Sequence, residues 1–426
     1  MQYLSQIAFL LVLATATYFF VKSVTTIRRN ILLGADFVPD STPLFRLSNM
    51  TRVALGQSKM VVRPVAGFFH ILIYVGFILI NIEVLEIILD GIFGQHRLFS
   101  QPLGGLYYVA IGFFEILALL VIIACVVFLL RRDVVKLKRL NSVELKGWPK
   151  MDGRNILLIE LFLMLALLVM NASDGPLQAQ SSLPISSWLA PIFNGVSEPN
   201  LHLIERTAWW VHIIGIMLFL NYIPYSKHLH IFLAFPNTYF AKQEPKGKFK
   251  NIAAITTEVN LMMDPAAVAP ENYEPPSSFG AKDVKDLTWK NLLDAYTCTE
   301  CGRCSSVCPA NITGKLLSPR KIMMDTRDRA DELGKHIDSK PETMHDGKSL
   351  HEKISKEELW ACTSCNACVE ACPVEINPLD IIMQMRQYLV MEEATAPSEI
   401  NNMLTNLENN GAPWQFSAMD RAKWAE

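Results

Sequence analysis

Five long apolar runs in the first 240 residues constrain the fold of this chain more than any other feature of its sequence. They cover residues 3–21, 65–89, 106–130, 156–170 and 208–233. A helix that crosses the hydrocarbon core of a bilayer needs about 20 mostly apolar residues, so the runs predict five transmembrane helices. The first run has no basic residue before it and no small-residue cleavage site, which predicts a retained helix rather than a signal peptide. Residues 241–426 are polar and predict a soluble part.

Basic residues are concentrated in the loops after the first and third runs, whereas the other two loops contain only Arg97 and Arg206. Cytoplasmic loops carry the excess of lysine and arginine, so the N-terminus is predicted outside and the C-terminal part in the cytoplasm. The formal net charge of -2 excludes nucleic-acid binding, which needs a basic surface beyond the loops that flank a membrane.

Eight of the nine cysteines form two copies of the pattern C-x2-C-x2-C-x3-C-P. In this pattern three thiolates bind one 4Fe-4S cluster and the fourth reaches the other cluster. The predicted ligand sets are Cys298, Cys301, Cys304 with Cys372, and Cys362, Cys365, Cys368 with Cys308. Zinc would fit a single C-x2-C, and disulfides would fit a secreted scaffold, but two identical runs closed by Cys-Pro indicate iron-sulfur clusters in a reducing compartment. The ninth, Cys125, is predicted to be a small core residue of the third helix.

Histidines inside the apolar runs are candidate ligands, because a polar side chain in a bilayer is costly without a partner. His70 lies in the second run, and His212, His228 and His230 lie in the fifth. Eighteen residues are five whole helical turns, so His212 and His230 are predicted on one face, roughly 27 Å apart, unless Pro224 kinks the helix. His70 and His230 both fall towards the predicted cytoplasmic side and suit one bis-histidine haem. The alternative is that each histidine only hydrogen-bonds a neighbouring helix.

The stretch from His212 to His230 resembles the fifth helix of the cytochrome b subunit of respiratory nitrate reductase and of the membrane subunit of methanogen heterodisulfide reductase. The resemblance implies that the outer two histidines bind different haems, and that the Phe-Phe-His70 stretch supplies the partner of His230 for a haem b. Where the family has a second histidine ten residues later, this chain has Ile80. The alternatives for the partner of His212 are then His96, His202, a group other than histidine, or no second haem.

Segments around the cysteines, at residues 304–320, 359–362 and 385–390, resemble the ferredoxin part of the catalytic heterodisulfide reductase subunit. They are also similar to glycolate and lactate oxidase iron-sulfur subunits and to membrane electron-transfer-flavoprotein:menaquinone oxidoreductases. Residues 406–424 resemble the segment that leads into the cysteine-rich CCG modules of this family, which hold its terminal cluster. The resemblance implies an electron conduit without substrate chemistry of its own, working with a CCG iron-sulfur protein on a separate chain.

Four carboxylates also lie in the apolar runs, namely Glu83, Glu86, Glu115 and Glu160. Buried carboxylates can accept the protons of a quinol, because burial favours the neutral acid. The alternative is that they are structural hydrogen-bond partners between helices, and the sequence does not locate a quinone site.

Together these features predict an all-α membrane domain of five transmembrane helices in residues 1–240 and a connector in 241–290. These are followed by a mainly α-helical two-cluster ferredoxin domain in 291–395 and a partner-docking tail in 396–426. The predicted function is a quinone-linked oxidoreductase subunit of a prokaryotic cytoplasmic membrane, carrying electrons between menaquinone or another quinone and a partner. An electron-transfer flavoprotein is the favoured partner. The alternatives are a quinol-driven disulfide or sulfur-compound reductase subunit and, in a different class, a membrane redox sensor or assembly factor.

Overall fold

The computed structural model describes residues 2–245, 247–249, 251–270 and 278–426. Parts of the predicted connector, residues 246, 250 and 271–277, lie outside the described residues. Within the described ranges the chain is helical and has no strand, and one isolated β-bridge joins Ala35 to Thr288.

The first half of the chain contains five long apolar helices, as predicted. They are α1 (Gln2–Ile31), α2 (Pro64–Phe93), α3 (Gly105–Leu129), α4 (Trp148–Ser173) and α5 (Glu198–Tyr222). All five are long and apolar enough to cross a membrane. The helices α2, α4 and α5 each carry a proline in the first turn, where a missing N–H costs no helical hydrogen bond. Neighbours along the chain pack together from α2 to α5, and α1 packs against α5 and α2.

The second half contains α6 (His230–Tyr239), α7 (Ala253–Met263), α8 (Trp289–Thr297), α9 (Pro319–Ser339), α10 (Pro378–Met391) and α11 (Ser398–Asn410). Short helices lie between them and in the loops of the first half, at Pro43–Met50, Ser100–Leu103, Gly175–Gln180, Ser186–Leu189, Pro309–Ile312, Lys356–Trp360 and Ala367–Ala371. One apolar core joins α8, α9 and α10, and it already includes Ala281, Val284 and Leu287, upstream of the predicted domain start at residue 291.

The fifth membrane helix is interrupted, so the prediction of one helix over residues 208–233 is wrong. The helix α5 ends at Tyr222, and two tight 3-10 turns at Ile223–Tyr225 and Lys227–Leu229 precede α6. Pro224 explains the break, because its ring lacks an N–H and clashes with the preceding helical turn.

Asp152 of α4 holds the broken segment in place. Its carboxylate accepts hydrogen bonds from the hydroxyl of Ser226 at 2.7 Å and from the backbone N–H of Lys227 at 3.0 Å. His212 and His230 therefore do not lie on one continuous helix, and the five-turn relation between them is wrong.

The soluble part sits on the ends of the membrane helices. Ile31, the last residue of α1, belongs to the apolar core of the soluble part. The amide of Asn30 donates hydrogen bonds to the hydroxyl of Tyr296 and to Asp331, both at 3.1 Å. The basic loop after α3 lies at the same end, because Arg139 donates to the carbonyl of Cys301 at 2.5 Å. Which side of the membrane this end faces stays a prediction.

Candidate functional site

The structure brings the first predicted ligand set together. Cys298 follows α8 directly, Cys301 and Cys304 lie in the loop after it, and Cys372 follows a short helix from the other cysteine run. Burial, together with the nearby thiols of Cys301 and Cys372, raises the pKa of Cys298 to about 12. Burial likewise raises the pKa of Cys372 to about 12. Buried thiols that must act as thiolate ligands need compensating positive charge, which a group of iron ions supplies.

The second predicted set also forms one group. Burial raises the pKa of Cys368 to about 12, with the neighbouring thiols of Cys362, Cys308 and Cys365 adding to the effect. Cys365 is the exposed member of the group. The two groups suit two 4Fe-4S clusters, and the residue-by-residue ligation stays a prediction.

The two cysteine loops share one backbone conformation. Left-handed residues occur two and four positions after the first cysteine of each loop, at Glu300 and Gly302 (φ 52° and 69°) and at Ser364 and Asn366 (φ 55° and 59°). Glycine suits position 302, because its φ is left-handed and a Cβ atom there would lie 3.0 Å from the carbonyl oxygen of Arg139 and 2.5 Å from Nη1 of the buried Arg320. This repeated turn curls both loops in the same way. The backbone also donates to sulfur, from Ser364 to Cys362 at 3.4 Å and from Ile376 to Cys372 at 3.3 Å.

The first cysteine loop is one of the parts of the soluble domain that contact the membrane half of the chain. Arg303 donates to the carbonyl of Lys59, just before α2, at 3.0 Å. Glu300 pairs with Lys227, in the break after α5, at 2.5 Å, and with Arg327 of α9 at 2.9 Å. The loop is therefore fixed to both segments that carry the candidate haem histidines.

His70 and His230 lie beside each other across α2 and α6. Their ring centroids are 6.4 Å apart and their planes meet at 45°. The Nδ1 atom of His230 lies 3.0 Å from the carbonyl of Lys227, a hydrogen bond that leaves Nε2 free as a ligand. With metal-nitrogen bonds of about 2 Å, two imidazoles that share one metal ion have ring centres about 6 Å apart. The pair fits axial ligation of a haem, which stays a prediction.

His228 has a different environment from His230. Its ring packs against Phe219 at 5.2 Å, and its Nε2 atom lies 3.8 Å from a carboxylate oxygen of Glu160. His230 was predicted over His228 because it would share a helix face with His212, and the break after Tyr222 removes that relation. The contact with His70 favours the same residue for a different reason.

His212 is fully buried, and its Nδ1 atom lies 3.0 Å from the carbonyl of Leu163. Its Nε2 atom has no hydrogen-bond partner, and within the described ranges no second histidine ring packs beside it. Of the alternative partners, His96 contacts Asp174 and Arg206, and the exposed His202 lies 3.8 Å from Glu205. The residues around His212 therefore do not fit a second bis-histidine haem.

A buried polar network at the opposite end of the membrane helices was not foreseen as a unit. We call it the distal polar network; it comprises Glu83, Glu86, Asp90, His96, Arg97, Tyr107, Glu115, Asn171 and Asp174. In the sequence, three of its glutamates stand out separately as carboxylates in apolar runs, and Arg97 stands out only as a basic residue of a loop. The signal that could have revealed it is the spacing of Glu83, Glu86 and Asp90, which places three acids on one face of α2.

Comparisons with known proteins support the assignment of the cysteine groups. Residues 297–376 match the 4Fe-4S dicluster domain family. The probable iron-sulfur-binding oxidoreductase FadF of Bacillus subtilis (strain 168) is 30% identical, over 98% of this chain and 60% of its own length. The EtfAB:quinone oxidoreductase of Syntrophomonas wolfei subsp. wolfei is 26% identical, over 88% of this chain and 53% of its own length. A probable membrane-anchored ferredoxin of Chromohalobacter salexigens is 34% identical over 34% of this chain and 24% of its own length. No solved structure shows significant similarity.

Two of these relatives are named as oxidoreductases, one of them as iron-sulfur-binding, and the dicluster match across the cysteine runs supports iron-sulfur clusters and an oxidoreductase subunit. The five apolar helices and the membrane-anchored relative indicate a membrane protein. The chain spans a little over half the length of the two relatives that it matches along most of its own sequence.

Proposed function

We propose that this chain is the membrane electron-transfer part of a quinone-linked oxidoreductase, which carries electrons between a quinone in the bilayer and a cytoplasmic redox partner. Its cofactors are two 4Fe-4S clusters and one haem b. The favoured partner is an electron-transfer flavoprotein.

The observation that carries the proposal is the contact between the first cysteine loop and the histidine segments. Arg303, between Cys301 and Cys304, is bound to the backbone just before α2, which carries His70. Glu300 is bound to Lys227, three residues before His230. Electron transfer requires carriers held close together, and these contacts hold the proposed cluster site against the proposed haem site.

Each group of residues has a separate role in the proposal. The clusters and the haem would each carry single electrons, and the eight cysteines with His70 and His230 would hold them. Arg303 and Glu300 position the first loop on the membrane helices. The exposed thiol Cys365 belongs to the second group, so that group is the one proposed to face the partner.

Among the relatives, the one named for a quinone supports the favoured partner. The EtfAB:quinone oxidoreductase of Syntrophomonas wolfei matches 88% of this chain, including both halves. Heterodisulfide reductase subunits of Methanosarcina and Archaeoglobus match only 25% to 34% of it. A disulfide or sulfur-compound reductase subunit is therefore the second candidate.

The C-terminal tail, residues 396–426, also supports the binding of a partner protein. Phe416, Met419 and Trp424 expose 70%, 90% and 87% of their surface. Large exposed apolar side chains that lie close together in a chain favour contact with another protein. We propose that an iron-sulfur partner of the CCG type or the flavoprotein binds there.

The first experiment is a reduced-minus-oxidised absorbance spectrum of the purified protein, with haem and iron counted per chain. We expect a b-type haem band in the wild type, its loss in His70→Ala and its retention in the matched variant His212→Ala. Retention of the band in His70→Ala would refute the assigned ligand. Iron without haem in the wild type would refute the electron path to the bilayer and favour a redox sensor or assembly factor.

The second experiment separates the partners. The protein in liposomes that contain menaquinone is mixed with reduced electron-transfer flavoprotein, and quinone reduction is followed by its ultraviolet absorbance. We expect reduction that depends on the protein. Reduction of a disulfide substrate by menaquinol, with no reaction of the flavoprotein, would favour the second candidate.

A further inference from the structure

The distal polar network buries five carboxyl groups around one guanidinium. The side chains of Glu83, Glu86, Asp90, Glu115 and Asp174 are at most 5% exposed, and Arg97 is 9% exposed. A buried charge without a counter-charge costs several kcal/mol, so the five carboxyls are not all ionised together. The network therefore holds bound protons inside the membrane domain.

Asp174 is the acid that balances Arg97. Its Oδ2 atom accepts a hydrogen bond from Nε of Arg97 at 2.7 Å and lies 3.1 Å from Nε2 of His96. Burial favours the protonated form of Asp174, but the hydrogen bond from His96 and the charge of Arg97 hold its pKa well below the usual range. The other four carboxyls are left without a cation of their own.

Glu83 differs from the other three in its bonding. Glu86, Asp90 and Glu115 each accept at least two hydrogen bonds, from backbone amides, a tyrosine hydroxyl and an asparagine amide. Both carboxyl oxygens of Glu83 are buried without a hydrogen-bond partner, and Oε1 lies 3.9 Å from Nη1 of Arg97. Burial favours the neutral acid at this position, whereas the nearby guanidinium favours the carboxylate. Glu83 is therefore the carboxyl of the network that no hydrogen bond fixes in one protonation state.

Polar side chains lie between Glu83 and the protein surface at the end of the membrane helices opposite the cysteine groups. Arg97 donates to the hydroxyl of Tyr107 at 3.1 Å, and that hydroxyl donates to Glu86 at 2.9 Å. On its other side Arg97 contacts Asp174, which contacts His96, and the side chain of His96 is 43% exposed.

We propose that the distal polar network is a proton route, in which Glu83 exchanges protons with the aqueous phase on the side of the membrane opposite the cysteine groups. The inference rests on the proposed function, because the protons are those of the quinone. When a quinol is oxidised, both O–H bonds break. The cofactors proposed for the histidines and cysteines would take both electrons. The carboxylate of Glu83 accepts the two protons one after the other and releases each towards the distal aqueous phase, while Arg97 stays protonated.

The test uses the full chain in liposomes that contain menaquinol, with ferricyanide outside as the electron acceptor and a pH-sensitive dye inside. Ferricyanide does not cross the bilayer, so only molecules with the cysteine groups outside react. Each quinol then reduces two ferricyanide ions and becomes a quinone. Liposomes without protein correct for direct reaction of the quinol.

In the wild type we expect ferricyanide reduction with acidification of the liposome interior. In Glu83→Gln we expect both rates to fall about 100-fold or more, because a positioned proton-transfer group contributes at least about that factor. Glu83→Asp restores part of the rate, and Tyr107→Phe gives an intermediate loss. Glu198→Gln, an exposed carboxylate in the first turn of α5, is the matched control and leaves both rates unchanged.

Three results would overturn the inference, and they are distinguishable. Acidification of the outside with normal ferricyanide reduction would place the proton exit on the other side and leave the proposed function intact. Equal rates in Glu83→Gln and Glu198→Gln would remove Glu83 from the route. Absence of quinol-dependent ferricyanide reduction in a wild type that contains both clusters would refute the proposed function and this inference with it.

Discussion

Replacing Glu300 with glutamine tests how firmly the first cysteine loop is held against the membrane helices. Burial favours the neutral acid, but Lys227 and Arg327 hold the pKa of Glu300 below its usual range, so the native side chain is ionised. Its two ion pairs, at 2.5 Å and 2.9 Å, join the loop to the break after α5 and to α9. Glutamine keeps the size of the side chain and removes its charge.

The expected cost follows from burial. Loss of one partner from a buried ion pair costs about 3–5 kcal/mol when the other charge is left alone. Here Lys227 still donates to the carbonyl of Pro149 at 2.6 Å and lies 3.9 Å from Asp152. Arg327 still contacts Asp328 at 3.0 Å. We therefore expect about 2 kcal/mol, which is about a 30-fold change in the opening equilibrium of this contact.

Hydrogen exchange measured by mass spectrometry is the assay, because it reports local opening. In Glu300→Gln we expect about 30-fold faster exchange in peptides that contain residues 226–229 and 298–304, with the clusters intact. Asp328→Asn is the control, since its side chain is 50% exposed and such ion pairs contribute at most about 1 kcal/mol. Equal exchange in the two variants would refute the reasoning.

Three further predictions concern the cysteine groups and the soluble core. Cys372→Ser should lower the iron content and remove one cluster signal from the electron paramagnetic resonance spectrum, whereas Cys125→Ser should keep both. Gly302→Ala should destabilise the soluble domain by about 2–3 kcal/mol, because it adds a steric clash to a left-handed φ. Gly314→Ala also has a left-handed φ but lies in open space, so it should cost only about 1 kcal/mol. Thermal loss of the cluster absorbance measures both changes. Arg329→Met should cost about 3–5 kcal/mol in the same assay, because it leaves two aspartates unpaired, and an unchanged melting temperature would contradict this.

The sequence predicted those features that depend on neighbours in the chain. Each cysteine run places three thiols on one short loop, and the structure shows the loops with the same left-handed positions. The five apolar helices follow from length and composition alone. The break after Tyr222 is harder to predict from the sequence, because the effect of Pro224 depends on Asp152. That residue lies in another helix and holds the turn by hydrogen bonds.

The distal polar network could not be assembled from the sequence. Its members come from α2, α3, the end of α4 and the loop after α2, and spacing within one helix does not reveal which groups face each other. Arg97 counted as one loop charge in the sequence, yet in the structure it contacts Asp174, Tyr107 and Asn171 at once. The same holds for His212, whose one hydrogen-bond partner among the described residues is a backbone carbonyl of α4.

The docking of α1 has a consequence for how the protein is made. Ile31 completes the core formed by Leu287, Leu292 and Leu333, so a membrane helix supplies part of the core of the soluble domain. The soluble half expressed alone would expose the apolar site that Ile31 fills. The domain that holds the cysteines therefore has its complete core only beside α1, which ties the folding of the soluble part to that of the membrane helices.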